Sequence, residues 1–406
     1  MFFIINIYDA FDNLTEIVRG DGMKYALKYN KYRNLEAIGI NGKTDGDLVA
    51  YTYKNGNGRL KQMTYANGHT MKATYNDLGQ LIAEKWYSEQ AYQNLVAHYK
   101  YVYDGQGNIC RSIDILNAIE YTYIYNEGRI CRATESTVTF GTNEMVTGKT
   151  VVNVIRYRYD NEGNLVQKRI IEDNGRVRDI RYPKAENGSQ VVKFIVGGSL
   201  VTSHSKTDSF GRKEFDELQF STGAISRQFI YKLGKITDEH KENGMIKSRP
   251  TTQLVDYIVM SDDRTISYEY DAEERITKVV DSVDGTFEYT YDALGQLLAE
   301  TVNGTVVNTM TYDNYGNIRT KNGVAYTYGD SVWKDKLTAV GNNTIAYDAQ
   351  GNPVSYLGHS LAWEKGRQLK YFDCNTYTYN ANGIRISKTV NGVKHEYVLG
   401  GTKISN

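Results

Sequence analysis

Residues Tyr289–Gly304, YTYDALGQLLAETVNG, and Tyr377–Gly392, YTYNANGIRISKTVNG, agree at most positions without a gap. The same unit begins at Tyr270 (YDAEERI), Tyr291 (YDALGQL) and Tyr312 (YDNYGNI), each 21 residues after the last. A fixed period of this kind marks a repeat architecture. Further copies stand at Tyr8, Tyr53, Tyr75, Tyr103, Tyr125, Tyr159, Tyr347 and Tyr379, and Tyr29 heads a degenerate member.

Each part of the unit has a mechanical meaning. Tyr-x-Tyr pairs such as Tyr101/Tyr103, Tyr121/Tyr123, Tyr157/Tyr159, Tyr268/Tyr270, Tyr289/Tyr291 and Tyr326/Tyr328 put both rings on one face of a strand. The following Asp/Asn-x-x-Gly places a carboxylate or amide where it bonds nearby backbone amides, and a glycine where positive φ is needed. The signature residues are therefore Tyr103, Asp104 and Gly107; Tyr159, Asp160 and Gly163; Tyr291, Asp292 and Gly295; Tyr312, Asp313 and Gly316; Tyr347, Asp348 and Gly351; and Tyr379, Asn380 and Gly383. A second turn follows as Asn-Gly or Asp-Gly, at Asp21-Gly22, Asn41-Gly42, Asn67-Gly68, Asp284-Gly285, Asn303-Gly304, Asn322-Gly323 and Asn391-Gly392. Such dipeptides favour tight hairpins.

Two turns per period leave about seven residues for each strand, roughly 23 Å. The expected fold is all-β: a long antiparallel meander of hairpins. Because an open sheet rarely exceeds about ten strands, the meander is expected to curl into a hollow spiral β-shell, and to be an incomplete one. So many tyrosines suit a face that meets neighbouring rings on one side and a polar space on the other, since each hydroxyl needs a partner.

The chain of 406 residues is treated as one repeat domain: 1–183 with a Thr-rich lengthening at 133–154, a degenerate stretch at 184–262, and regular repeats at 263–406. Asp238–Gly244 is expected to be an exposed loop. With 35 Tyr and 37 Gly against 3 Pro, the composition favours strands and glycine turns. Lys+Arg and Asp+Glu balance at 48 each, which gives no electrostatic reason to expect nucleic acid. No apolar run approaches a membrane helix, and Met1–Asn6 does not read as a signal peptide.

Candidate chemistry is sparse. Cys110, Cys131 and Cys374 are too scattered for a disulfide framework or metal site; Cys110 and Cys131 occupy equivalent places roughly 9–10 Å apart across two strand spacings, so free, buried thiols are expected. The six histidines show no ligand spacing. Thr147-Gly148-Lys149-Thr150 has a six-residue gap back to Gly141, where a phosphate loop needs four, and is read as a turn. Gly358-His359-Ser360 lacks the nucleophile elbow and is read as a strand start. The recurrent aspartates are read as turn residues rather than a glycosidase pair. No cofactor, metal or enzymatic activity is expected.

The Tyr-Asp-x-x-Gly-[Asn/Arg/Gln]-[Leu/Ile] unit with its Asn-Gly turns resembles the YD repeat of bacterial RHS proteins and of the related teneurin and Tc-toxin shells. The phrases at Thr207–Lys213, Thr251–Val255 and Trp363–Leu369 are the most specific. The resemblance implies a structural segment of a large secreted or cell-surface bacterial protein, forming part of a cocoon around a C-terminal toxin or effector polypeptide. The chain stops at Val398–Lys403 without the Asp-Pro-x-Gly-Leu core terminus at which such proteins cleave themselves, so neither self-cleavage nor toxicity is carried over. The alternative is a wall- or surface-associated carbohydrate-binding module, with tyrosines and Trp86, Trp333 and Trp363 stacking on sugar rings.

Overall fold

The computed structural model describes residues 4–54, 58–89, 91–182, 189–196, 199–234, 240–242, 245–248, 250–400 and 403–405. Among them no α-helix occurs; a single 3₁₀ turn spans Thr142–Glu144. The strands form an all-β antiparallel meander, as the repeat predicts. Successive strands pair with one another in a 29-stranded sheet, and seven more, from Ala346 to Glu396, form a second sheet. The hairpin of His240–Glu242 and Met245–Ser248 leaves this order, since Gly223–Leu233 pairs directly with Thr251–Met260. Part of the loop expected at Asp238–Gly244 is thus strand; its remaining residues lie outside the described ones.

The signature turn has one geometry except in the copy at Tyr125, where the loop is Glu127-Gly128 with φ +50° and +74°. Tyr291 lies opposite Leu297, Tyr270 opposite Ile276, Tyr159 opposite Leu165 and Tyr379 opposite Arg385, with a register shift immediately before each tyrosine. Such a bulge bends the strand and re-aims the side chain beside it. Inside the loop, Asp292 Oδ1 accepts from the amides of Leu294 (2.8 Å) and Gln296 (2.9 Å), and the Gly295 amide donates to the Asp292 carbonyl (3.1 Å). Gly295 sits at φ +81°, which an L side chain enters only with strain. Glu274 holds the equivalent place at φ +64° without being glycine.

The second turns divide in two. Asn303-Gly304, Asn322-Gly323 and Asn391-Gly392 have positive φ at both residues, the twist-matched two-residue hairpin. Asn41-Gly42 has the same φ pair but heads a longer loop, since Ile38 pairs with Val49, and at Asp21-Gly22, Asn67-Gly68 and Asp284-Gly285 only the glycine has positive φ. Lys365-Gly366 has the same pair of φ values, +47° and +84°, without the sequence signal, inside a three-residue loop between Glu364 and Gln368.

The strands alternate as half-covered sheets should. In Thr265–Tyr270 the side chains of Thr265, Ser267 and Glu269 are exposed, while Ile266, Tyr268 and Tyr270 are half-buried on the other face. The lengthened repeat is two long strands, Arg129–Phe140 and Val146–Tyr159. Thr147–Thr150 therefore lies in a strand rather than the expected turn, and Lys149 there pairs with the buried carboxylate of Glu120. The cysteines are free, but against expectation Cys110 and Cys131 are half-buried and Cys374 is exposed. Cys110 and Cys131 place Sγ 3.5 and 3.3 Å from the carbonyls of Val102 and Ile124, on strands where one sheet face is only partly covered.

The chain divides into two compact units. One comprises residues 1–122, 137–150 and 311–406, the other 123–136 and 151–310. The first contains two buried clusters: Met71, Trp86, Ala97 and Tyr99, and Met23, Ile40 and Leu48 with Trp333 against them.

Candidate functional site

The signature residues are spread along the meander, one set per hairpin. Asp104, Asp160, Asp313, Asp348 and Asn380 each accept backbone amides two and four residues on, as Asp292 does. Gly107, Gly163, Gly316, Gly351 and Gly383 have φ between +75° and +88°. Backbone hydrogen bonds hold the carboxyls of Asp104 and Asp160 below the usual aspartate range.

The tyrosines do more than line a face. Tyr103 donates its hydroxyl to the carbonyl of Leu81 (2.8 Å), Tyr291 to Ile276 (2.7 Å), Tyr159 to Ile130 (3.1 Å), Tyr270 to Val255 (2.8 Å) and Tyr379 to Leu369 (2.8 Å). Tyr29, Tyr53, Tyr75, Tyr231 and Tyr347 make the corresponding bond. In most of these the acceptor is the aliphatic residue that follows the preceding signature turn, so each hydroxyl staples its hairpin to the one before. A neutral bond of this kind contributes about 0.5–1.5 kcal/mol, and its repetition ties the rim of the sheet together.

One set of signature residues is drawn into a tertiary contact. Within the first unit, the turn Tyr65–His69 receives two turns from the C-terminal hairpins. Gln350 accepts from the Ala66 amide (2.9 Å), and Asn67 Nδ2 donates to the Asp348 carboxylate (3.0 Å) and to the Gly366 carbonyl (3.1 Å). Asn352 donates to the same carbonyl (2.7 Å), and the Gly366 amide donates to His69 Nδ1 (2.9 Å). A Cβ on Gly366 would fall 2.5 Å from the Tyr65 ring, so only glycine allows this approach. Gln350 and Asn352 are buried.

Beside this seam Lys365 is buried, with Nζ donating to the Tyr99 hydroxyl at 2.6 Å. Burial pulls the Lys365 ammonium below its ordinary pKa, against the opposing pull of Glu364, Glu84 and Asp114. Burial likewise raises the Tyr99 phenol. Farther along the same unit, Trp333 donates to the Tyr25 hydroxyl (3.2 Å), Lys334 to the Asp21 carbonyl (2.7 Å), and Arg19 pairs with Asp335.

A cleft of about 270 Å3 opens next to Tyr99, lined by Tyr101, Asp114, Tyr121, Tyr379 and Lys394 among others. Its tyrosines are the aromatic supply read from the sequence. The tryptophans are not: Trp86 is in the core, and Trp333 and Trp363 spend their indole N–H groups inside the fold. The sequence reading missed His69, Gln350, Asn352 and Lys365. The one available signal was the phrase Trp363–Leu369, which carries Lys365 and Gly366.

No protein-family model matches the chain. Among curated proteins it is similar to the tRNA nuclease WapA of Bacillus subtilis and to the tRNA3(Ser)-specific nuclease WapA of Bacillus spizizenii. Each is 32% identical over 127 aligned residues, 28% of this chain. The chain spans about a twentieth of the length of these relatives, 5% in each case. Among solved structures it resembles the crystal structure of TcdB2-TccC3-Cdc42, with a TM-score of 0.65 over 95% of this chain and 23% of that one. TcdB2-TccC3 without its hypervariable C-terminal region gives 0.67 over 99% and 23%. Sequence identity is 14% in both, so the likeness establishes the fold, and this is the RHS/YD-shell fold that the resemblance implied.

Proposed function

We propose that this chain is a structural scaffold segment of a larger secreted or surface-associated RHS-type protein, and that its hairpins enclose or present another polypeptide of that protein. The carrying observation is the staple ladder: signature tyrosines and aspartates are used, repeat after repeat, to bond the backbone of their own or the preceding hairpin. These aspartates each bind two amides of their own turn and stand one per hairpin along the meander, instead of converging on one cleft. The likeness to TcdB2-TccC3 supports the scaffold reading. The nuclease activity in the relatives' names belongs to proteins of which this chain spans about a twentieth.

The test is limited proteolysis of the longer protein. An enclosed polypeptide resists protease while the hairpins are folded and is cut once they are denatured. Cleavage at the rate of the same polypeptide expressed alone would remove the enclosing role.

A second reading, carbohydrate binding, rests on the tyrosine cleft, where rings stand beside Asp114 and Lys394. Ring faces take the C–H faces of sugars and charged groups take their hydroxyls. A glycan array probed with the wild-type chain and with Tyr121→Ala decides it: binding above background that the variant loses supports the reading, and no binding ends it.

A further inference from the structure

The bond between Gly366 and His69 has a chemical consequence that is independent of what the scaffold carries. A backbone N–H can only donate, so His69 Nδ1, 2.9 Å from the Gly366 nitrogen, must be the unprotonated nitrogen of a neutral ring. Adding a proton there sets two donors against each other at the centre of a contact that joins chain segments nearly 300 positions apart, the separation being 297.

We propose that His69 is a proton-operated latch: the neutral ring holds the turn at Lys365-Gly366 on the turn Tyr65–His69, and protonation of Nδ1 releases it. The other bonds of the seam depend on the same approach. Gly366 offers its carbonyl to Asn67 and Asn352 at 3.1 and 2.7 Å, and Lys365, its neighbour, reaches Tyr99. Losing the amide bond therefore loosens a cluster, not one contact.

The charged groups facing the ring are Asp348, from the turn that also bonds Asn67, and Lys370, from the strand Gln368–Phe372. Asp348 favours protonation and Lys370 opposes it. Burial of the half-buried ring is the largest influence and holds its pKa below the ordinary histidine value. A depressed histidine pKa leaves docking unaffected above about pH 6.5. As pH falls below that, the open form takes up the proton first, and docking weakens until the docked ring also titrates. Within that window the opening equilibrium changes roughly tenfold per pH unit.

Two measurements on the full chain test the latch. Histidine-selective 15N NMR should show His69 as the Nε2–H tautomer at pH 7.5, titrating below the ordinary histidine value. Hydrogen exchange at the Gly366 amide, corrected for intrinsic rate, should accelerate by about tenfold per pH unit in the window below about pH 6.5. In His69→Gln, whose side-chain oxygen can accept the same bond without titrating, that pH dependence should disappear. An Nδ1–H tautomer at pH 7.5, or corrected exchange at Gly366 that is the same at pH 7.5 and 5.0, overturns the proposal. So does an unchanged pH slope in a folded His69→Gln. Should that variant not fold, the tautomer and the wild-type exchange decide by themselves.

Discussion

Lys365 Nζ lies 2.6 Å from the hydroxyl of Tyr99, although 266 positions separate the two residues. The lysine stands in a left-handed turn and the tyrosine in the middle of the strand Leu95–Tyr103, and both are buried. The pair marks the place where the hairpins near the end of the chain rest on those near its beginning.

Tyr99→Phe should destabilise the first unit by about 1–3 kcal/mol, because it leaves a buried ammonium without its acceptor. Lys365→Met should cost less, since it removes the charge and keeps most of the volume. Denaturant unfolding of both single variants and of the double variant checks this. A double variant no worse than Tyr99→Phe alone is the expected result.

The staples predict a uniform series. Tyr103→Phe, Tyr270→Phe and Tyr291→Phe each remove one hydroxyl donor and strand one carbonyl, at Leu81, Val255 and Ile276. Each should lower stability by about 0.5–1.5 kcal/mol. Faster hydrogen exchange should be confined to the two hairpins that the staple joins. Exchange that changes along the whole sheet would show that the staples do not act locally.

Glu274→Gly should stabilise the protein by roughly 0.5–1 kcal/mol, because glycine relieves the left-handed strain at φ +64° and gives back part of the gain in chain entropy. Gly107→Ala, at φ +87°, should move stability the other way by a similar amount. Thermal unfolding of the two variants should shift in opposite directions.

Acid should weaken the turns. Backbone bonds depress the carboxyls of Asp104 and Asp160, and the Arg264 guanidinium lowers Asp281 to about 2. A depressed carboxylate contributes its full stability above the unfolded value near 4. That contribution is lost as pH falls from there through the folded pKa. Asp160→Asn keeps the side-chain oxygen that the turn needs, as Asn380 does naturally. Circular dichroism should therefore show the variant losing less stability than wild type between about pH 4 and pH 2.

The amino-acid sequence by itself determined the hairpin. Tyr-Asp-x-x-Gly and Asn-Gly act over five residues or fewer, through local bonds and the φ range of glycine, so their turns and the all-β meander could be read directly. The bulge before each tyrosine and the acceptor of its hydroxyl could not, because both depend on the register of the next strand. The seam was further out of reach. Asp348 looks like every other signature aspartate, and Lys365-Gly366 carries no spacing that assigns it a partner. Only when the chain folds back do Gln350, Asp348 and Gly366 meet Ala66, Asn67 and His69, and Lys365 meet Tyr99. Contacts between segments hundreds of residues apart leave no spacing in a single sequence; they arise from which sheet faces are left to cover one another.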